Sequence, residues 1–184
     1  MTKIFLLGDS IRENYQEKVK ELLRDDNCEI FHPDENCRFS RYTLNSLKFW
    51  LPMCPNPDII HWNNGLWDTL ITYPEDGPFT EIDEYVRDMK RILRELKKTG
   101  AKVIFATTTA VGDDNPPWSN TTIEKYNKAF IEAAGSDIDA INDLYALTRP
   151  NNKTYISPED KVHLTPMGAT ALAKAVVKSI KTFM

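Results

Sequence analysis

The chain has 184 residues, of which 41% are hydrophobic and 27% charged, and this composition excludes a disordered or collagen-like protein. A length of this size suits one hydrophobic core, so we expect a single domain over residues 1–184. The 23 basic and 27 acidic residues leave a net charge of -4, which argues against a nucleic-acid partner.

Short apolar runs alternate with longer amphipathic segments along the chain. The apolar runs predict five buried strands, at residues 3–7, 28–31, 58–62, 101–106 and 138–141. Apolar residues at helical spacing predict helices at about residues 12–24, 40–51, 80–98, 121–134 and 166–180, with a loop at 151–161. Thr80, with acidic residues behind it, is typical of a helix start. This alternation predicts a three-layer α/β/α sandwich around a parallel five-stranded sheet, in the flavodoxin-like order 2-1-3-4-5.

Nothing in the sequence indicates a membrane span or a secretory leader. No apolar run approaches the ~20 residues that a spanning helix needs, and residues 1–7 lack the long apolar core of a signal peptide. The three cysteines, Cys28, Cys37 and Cys54, are an odd number without metal-like spacing. Reduced thiols in a cytoplasmic protein are the expected state.

Three polar segments follow strands or precede the last helix, at the edge where functional groups of parallel sheets collect. They are Gly8-Asp9-Ser10, Asn63-Asn64-Gly65 and the loop Asp160–His163. Ser10 is a candidate nucleophile at a helix start, although a serine there also serves as a simple helix cap. His163 is suited to activate a serine, with Asp160 orienting its ring, although the pair also fits a solvated Asp and a capping His. The Asn-Gly segment suits either an oxyanion site or an ordinary turn.

Gly8-Asp9-Ser10 near the start of the chain and Asp160-x-x-His163 near its end resemble the SGNH (GDSL-type) hydrolase superfamily. The resemblance covers nearly the whole chain. It implies that Ser10 is the nucleophile, His163 the general base and Asp160 its orienting partner. It also implies an oxyanion hole built from the Ser10 N–H, a backbone N–H in a second block and an asparagine side chain in a third.

The second and third blocks depart from the pattern of the superfamily. The second block has no glycine, so the backbone of Cys37 stands as the candidate donor; Cys37 itself as nucleophile lacks a neighbouring histidine. In the third block, Trp67 stands where the superfamily has its asparagine, which moves the expected donor to Asn64 or Asn63. The remaining candidates for substrate contact are Asp9, Arg38, Asn63 and Trp67, and Arg38 equally fits a solvated surface residue.

These patterns together predict a serine esterase that acts on a small-molecule ester through an acyl-Ser10 intermediate. The resemblance suggests a small acyl group, including acetyl on a carbohydrate. The chemistry needs no cofactor or metal, and the sequence shows no site for one. An inactive relative that binds an acylated or glycosidic ligand is the alternative. A flavodoxin-like nucleotide-binding domain is a further one, but the first loop lacks the glycines of a phosphate cradle.

Overall fold

The computed structural model describes residues 1–184 and contains one parallel sheet of five strands. The strands are β1 (Thr2–Leu7), β2 (Cys28–Phe31), β3 (Ile59–Trp62), β4 (Lys102–Ala106) and β5 (Ala140–Asn142). They are arranged in the order β2-β1-β3-β4-β5, which confirms the predicted topology. Because all strands run in the same direction, their carboxyl ends lie at one edge of the sheet.

Seven α-helices connect or follow the strands. They are α1 (Ser10–Leu22), α2 (Ser40–Trp50), α3 (Ile82–Lys97), α4 (Asn120–Ala134), α5 (Leu144–Thr148), α6 (Asn152–Tyr155) and α7 (Pro166–Ile180). Helices α1 and α7 pack against each other on one face of the sheet, and α2, α3 and α4 pack on the other. The predicted α/β/α sandwich is therefore confirmed. None of the helices is long and apolar enough to cross a membrane.

Strand β1 shows why the apolar runs of this sequence form a central sheet. Ile4 and Leu6 belong to the core beneath α1 and α7, whereas Phe5 and Leu7 belong to the core beneath α2, α3 and α4. All four side chains are fully buried. Successive side chains of a strand point to opposite faces, so a strand covered on both faces needs a continuous apolar run.

Two local predictions are wrong. Residues 151–161, expected to be a loop, contain α6, and α5 precedes it at residues for which the sequence predicts no element. Both helices are too short to show helical periodicity, and α5 is capped by Asp143, which accepts a hydrogen bond from the Ala146 N–H at 3.0 Å. Thr80 does not cap α3, because the helix starts at Ile82 and the Thr80 N–H donates to the Asp68 carbonyl at 3.0 Å.

Candidate active site

Ser10 is the first residue of α1, directly beyond the carboxyl end of β1. The helix begins here rather than near Arg12 because the Asp9 carboxylate caps it, accepting a hydrogen bond from the Ile11 N–H at 3.0 Å. Ser10 itself is partly exposed. Its N–H has no partner within the helix, and the helix dipole favours a negative charge at this end. The position therefore suits a nucleophile whose own N–H faces a developing oxyanion.

Asp160 and His163 form the hydrogen-bonded pair that the sequence analysis expects. His163 Nδ1 lies 2.7 Å from Asp160 Oδ2, and Asp160 Oδ1 accepts from the N–H groups of Val162 and His163, both at 2.9 Å. Partial burial raises the pKa of Asp160, but these hydrogen bonds outweigh it and hold the pKa below its ordinary value. Because an ionised carboxylate only accepts, Nδ1 carries the proton and Nε2 is left as the base.

Asn14 joins the loop of His163 to helix α1. The Leu164 N–H donates to Asn14 Oδ1 at 3.0 Å, across 150 residues of sequence. Asn14 lies one helical turn after Ser10, so this bond places the His163 loop beside the start of α1. No hydrogen bond of the structure joins the Ser10 hydroxyl to the His163 ring. Such bonds are often long before substrate binds and shorten in the reacting complex.

Replacing Asn14 with alanine should lower kcat for an ester substrate about 10-fold while KM stays nearly constant, since a small displacement of His163, the expected base, would slow the chemical step. Asn14→Asp keeps an acceptor oxygen for the Leu164 N–H and should recover most of kcat. Steady-state kinetics of the wild-type protein and the two variants measure the loss and its recovery. An equal loss in the alanine and aspartate variants would contradict this positioning role.

The second block is tied to the first by a reciprocal pair of hydrogen bonds. The Cys37 N–H donates to the Gly8 carbonyl at 3.1 Å, and the Gly8 N–H donates to Cys37 Sγ at 3.3 Å. The backbone N–H expected to bind an oxyanion is therefore already engaged in this conformation. Burial raises the pKa of the Cys37 thiol to about 12, so the thiol is protonated and unsuited to be a nucleophile.

Both asparagines of the third block are buried and hydrogen-bonded. Asn64 Oδ1 accepts from the Trp62 indole N–H at 2.7 Å, and Asn64 Nδ2 donates to the Arg38 carbonyl at 2.9 Å. Asn63 Nδ2 donates to Asp9 Oδ1 at 3.2 Å. Asn63 Oδ1 approaches Gly8 so closely that a Cβ there would lie 2.0 Å from it, which explains the glycine. Each amide nitrogen carries two hydrogens, and one on each is committed.

Asp9, expected to contact a substrate, is fully buried beneath the start of α1 and has no exposed surface in this structure. Burial raises its pKa to about 6, although the hydrogen bonds from Ile11 and Asn63 lower it. Its second oxygen, Oδ2, has no hydrogen-bond partner. Asn63, expected to be a substrate contact or an oxyanion donor, is likewise buried, and one of its amide hydrogens is committed to this carboxylate.

Arg12 is a structural residue of the site that the sequence analysis missed. It is buried, and its guanidinium donates to the carbonyls of Pro33 at 3.1 Å and Glu35 at 2.7 Å. These bonds hold the second block against α1. The sequence does contain a sign of this role, because Arg12 lies among Ile11 and Tyr15 on the inner face of α1, and a buried charge there needs hydrogen-bond partners.

Arg38 and Trp67 are the two exposed side chains among the substrate-contact candidates. Trp67 follows the third block and is 38% exposed. Arg38 follows Cys37 and is exposed. No group of three or more His, Cys, Asp or Glu side chains is placed to hold a metal ion. The site therefore combines a helix-start serine, a His–Asp pair and two exposed side chains suited to contact a substrate.

Comparison with solved structures shows that the chain shares its fold with proteins named as acetyl xylan esterases, a lipase/acylhydrolase and a GDSL-like lipase. A lipase/acylhydrolase from Enterococcus faecalis superposes with a TM-score of 0.85 at 19% identity, covering 99% of this chain and 96% of that one. The acetyl xylan esterase AlAXEase has a TM-score of 0.80 at 21% identity, with 97% and 99% covered. The acetylxylan esterase Axe2 from Geobacillus stearothermophilus has 0.81 at 18%, with 97% and 94% covered.

No protein-family model matches the sequence, and comparison with curated proteins finds no match either. At 18–21% identity, the esterase and acylhydrolase neighbours show which fold the chain adopts.

Proposed function

We propose that this chain hydrolyses a carboxylic ester through an acyl intermediate on Ser10. The observation that carries the proposal is the Asp160–His163 pair, at 2.7 Å, on a loop that is hydrogen-bonded to α1 one turn from Ser10. The esterase and acylhydrolase neighbours support the same class of reaction.

In the first half-reaction, His163 Nε2 removes the Ser10 hydroxyl proton as Oγ attacks the ester carbonyl. Asp160 keeps the proton on Nδ1 and stabilises the imidazolium that forms. The tetrahedral intermediate collapses, the carbon–oxygen bond to the alcohol breaks, and His163 gives its proton to the leaving alcohol. In the second half-reaction, water replaces the alcohol, His163 takes the proton of the water, and the acid leaves as Ser10 regains its hydrogen.

The oxyanion of each intermediate needs hydrogen-bond donors. The Ser10 N–H at the helix start is the first donor that we propose. Asn64 is the second, through the amide hydrogen that it does not give to the Arg38 carbonyl. Cys37 is left out of this role because its N–H is bonded to the Gly8 carbonyl.

The substrate that we propose is an ester of a small acyl group, with acetyl on a carbohydrate as the leading case. The names of two structural neighbours, both acetyl xylan esterases, support it. The exposed indole of Trp67 offers a flat apolar surface of the kind on which sugar rings pack.

A fluorophosphonate probe tests the nucleophile directly, because it modifies only an activated serine. We expect stoichiometric labelling of Ser10 in the wild-type protein, located by peptide mass spectrometry, and no labelling of Ser10→Ala. Ser157→Ala is a matched control that should label normally. The Ser157 hydroxyl accepts only from the Glu159 N–H at 3.2 Å, and the bond from Ser157 to the His163 carbonyl, at 2.7 Å, is made by the backbone N–H, which alanine keeps. Labelling of Ser10→Ala at the wild-type rate would overturn the assignment.

A binding protein without catalysis is the second candidate function, favoured by the engaged Cys37 N–H and by the burial of both third-block asparagines. In that case the wild-type protein would remain unlabelled and would not hydrolyse p-nitrophenyl acetate. It would still bind acetylated xylooligosaccharides in calorimetry. The labelling experiment therefore separates the two functions.

A further inference from the structure

The backbone of Arg38 lies between the two loops that form the candidate oxyanion site. Its neighbour Cys37 exchanges two hydrogen bonds with Gly8, two residues before Ser10. Its own carbonyl accepts from Asn64 Nδ2 at 2.9 Å. The start of the Arg38 side chain is thereby attached both to the turn of Ser10 and to the third block.

Arg38 adopts a backbone conformation that arginine rarely takes. Its φ is 51°, in the left-handed region that is disfavoured for residues with a Cβ. The Arg38 N–H donates to Asn36 Oδ1 at 2.8 Å, and the Asn64 bond holds the carbonyl on the other side. Two side-chain amides thus maintain the conformation, which sets the direction in which the arginine leaves the backbone.

The guanidinium of Arg38 is exposed and forms no salt bridge, although the Glu35 carboxylate lies within range of its charge. Its central carbon lies 4.7 Å from the centre of the Tyr42 ring, a cation–π contact that orients the group without neutralising it. The nearby Glu35 is engaged elsewhere: its oxygens accept from the Tyr42 hydroxyl at 2.5 Å and from the Trp50 indole at 3.0 Å. By contrast, Arg149 is paired with Asp113 at 3.1 Å.

We propose that Arg38 determines specificity by binding a carboxylate on the alcohol half of the ester. This inference rests on the proposed esterase function and names its substrate class, an acylated hydroxy acid such as an O-acetylated uronic acid sugar. A guanidinium binds a carboxylate through two parallel hydrogen bonds. The backbone of Arg38 lies beside the site, and its exposed side chain forms no salt bridge that would occupy the guanidinium. The proposed acyl group is small and carries no carboxylate of its own, so the carboxylate that Arg38 binds is placed on the alcohol half of the ester.

Two aryl esters that differ in charge test the proposal. Wild-type protein and Arg38→Gln are compared on 4-acetoxybenzoate and on 4-acetoxybenzamide, with the released phenol measured. The change from wild type to variant is taken for each ester separately, so that the unequal intrinsic reactivity of the esters cancels. Arg38→Gln should lower kcat/KM for the carboxylate about 10-fold and leave the amide within about twofold, since the bidentate charged contact is lost only with the first ester. Arg38→Glu should lower kcat/KM for 4-acetoxybenzoate further. In the wild-type protein, 0.5 M salt should weaken the preference for the carboxylate ester over the amide ester.

The control variant is Arg149→Gln, which removes an arginine already paired with Asp113 and should change both esters equally. The melting temperature of each variant shows whether it is folded. An equal effect of Arg38→Gln on both esters would overturn the role of Arg38 and leave the esterase assignment intact. Hydrolysis of neither ester by the wild-type protein, together with absence of fluorophosphonate labelling, would instead overturn the proposed function itself.

Discussion

His163→Ala should lower kcat for p-nitrophenyl acetate about 10³-fold or more, with KM within about threefold of the wild-type value. The Ser10 hydroxyl is a poor nucleophile until a base takes its proton, and the base that we propose is the His163 ring, on a loop that is hydrogen-bonded to α1. The ring contributes only when charge develops in the transition state. Its loss should therefore appear in kcat rather than in substrate binding.

The matched variants are Ser10→Ala and the double variant Ser10→Ala/His163→Ala. Groups that act as one unit are not additive, so the double variant should be no slower than the worse single variant. Asp160→Asn should also be strongly impaired, because an asparagine at this position favours the wrong tautomer of the histidine. If His163→Ala kept more than a tenth of the wild-type kcat, the base would have to lie elsewhere in the chain.

The sheet was the most predictable part of this protein. Strand β1 is buried on both faces, so its apolar residues run without interruption and are recognisable from the sequence alone. The helices between the strands then favour parallel pairing, and the order β2-β1-β3-β4-β5 is the flavodoxin-like one of the common doubly wound orders. Short helices such as α6 were missed because four residues are too few for a period.

The candidate site was predictable where its residues lie within one loop or directly after a strand. Asp160 and His163 are three residues apart, and their hydrogen bond follows from that spacing. The bond from Leu164 to Asn14 spans 150 residues, and nothing in a local pattern marks an exposed asparagine on a helix for this role. The engaged N–H of Cys37 likewise depends on how two separate loops meet.

The buried polar groups beneath Ser10 were also not predictable, because burial of an Asp or an Asn depends on tertiary packing. Asp9 directly precedes α1 and caps it, as its place in the sequence allows, but only the structure shows that its side chain is fully buried. Asn63 fills the space left by the missing side chain of Gly8 and reaches Asp9 from the neighbouring strand. A glycine before a helix is usually explained by the backbone conformations that glycine allows. Gly8 also leaves space for the Asn63 side-chain amide.

Asp9 and His61 are buried ionisable side chains whose pKa values are shifted in opposite directions. We expect each to make the free energy of unfolding depend on pH, and replacing either one should expose the contribution of the other. His61 is fully buried in β3, where its Nε2 lies 3.0 Å from Asn142 Nδ2, and burial lowers its pKa from 6.5 to about 3. Asp9 has its pKa raised from 3.8 to about 6 by burial. Because of each pKa shift, the folded and unfolded states bind different numbers of protons over a range of pH.

The two contributions have opposite signs. As pH falls from about 6.5 towards 3, the unfolded chain gains a proton on its histidine while folded His61 does not, so stability falls with falling pH. As pH rises from 3.8 to about 6, the unfolded chain loses a proton from its aspartate while folded Asp9 keeps one, so stability falls with rising pH. Each slope approaches about 1.4 kcal/mol per pH unit. Between pH 4 and 6 the two slopes therefore offset each other in the wild-type protein.

Asp9→Asn should remove this compensation. Asparagine keeps the oxygen that caps α1 but does not titrate, so the slope from His61 is left alone. Relative to wild type, the free energy of unfolding of Asp9→Asn should rise by about 2–3 kcal/mol between pH 4 and pH 6, measured by urea denaturation at constant ionic strength. His61→Gln should show the opposite slope, because only Asp9 then remains, and the double variant should run parallel to wild type. Parallel curves for wild type and Asp9→Asn would mean that the buried carboxylate is already ionised near pH 4, which would remove Asp9 as a proton-binding group beneath the nucleophile.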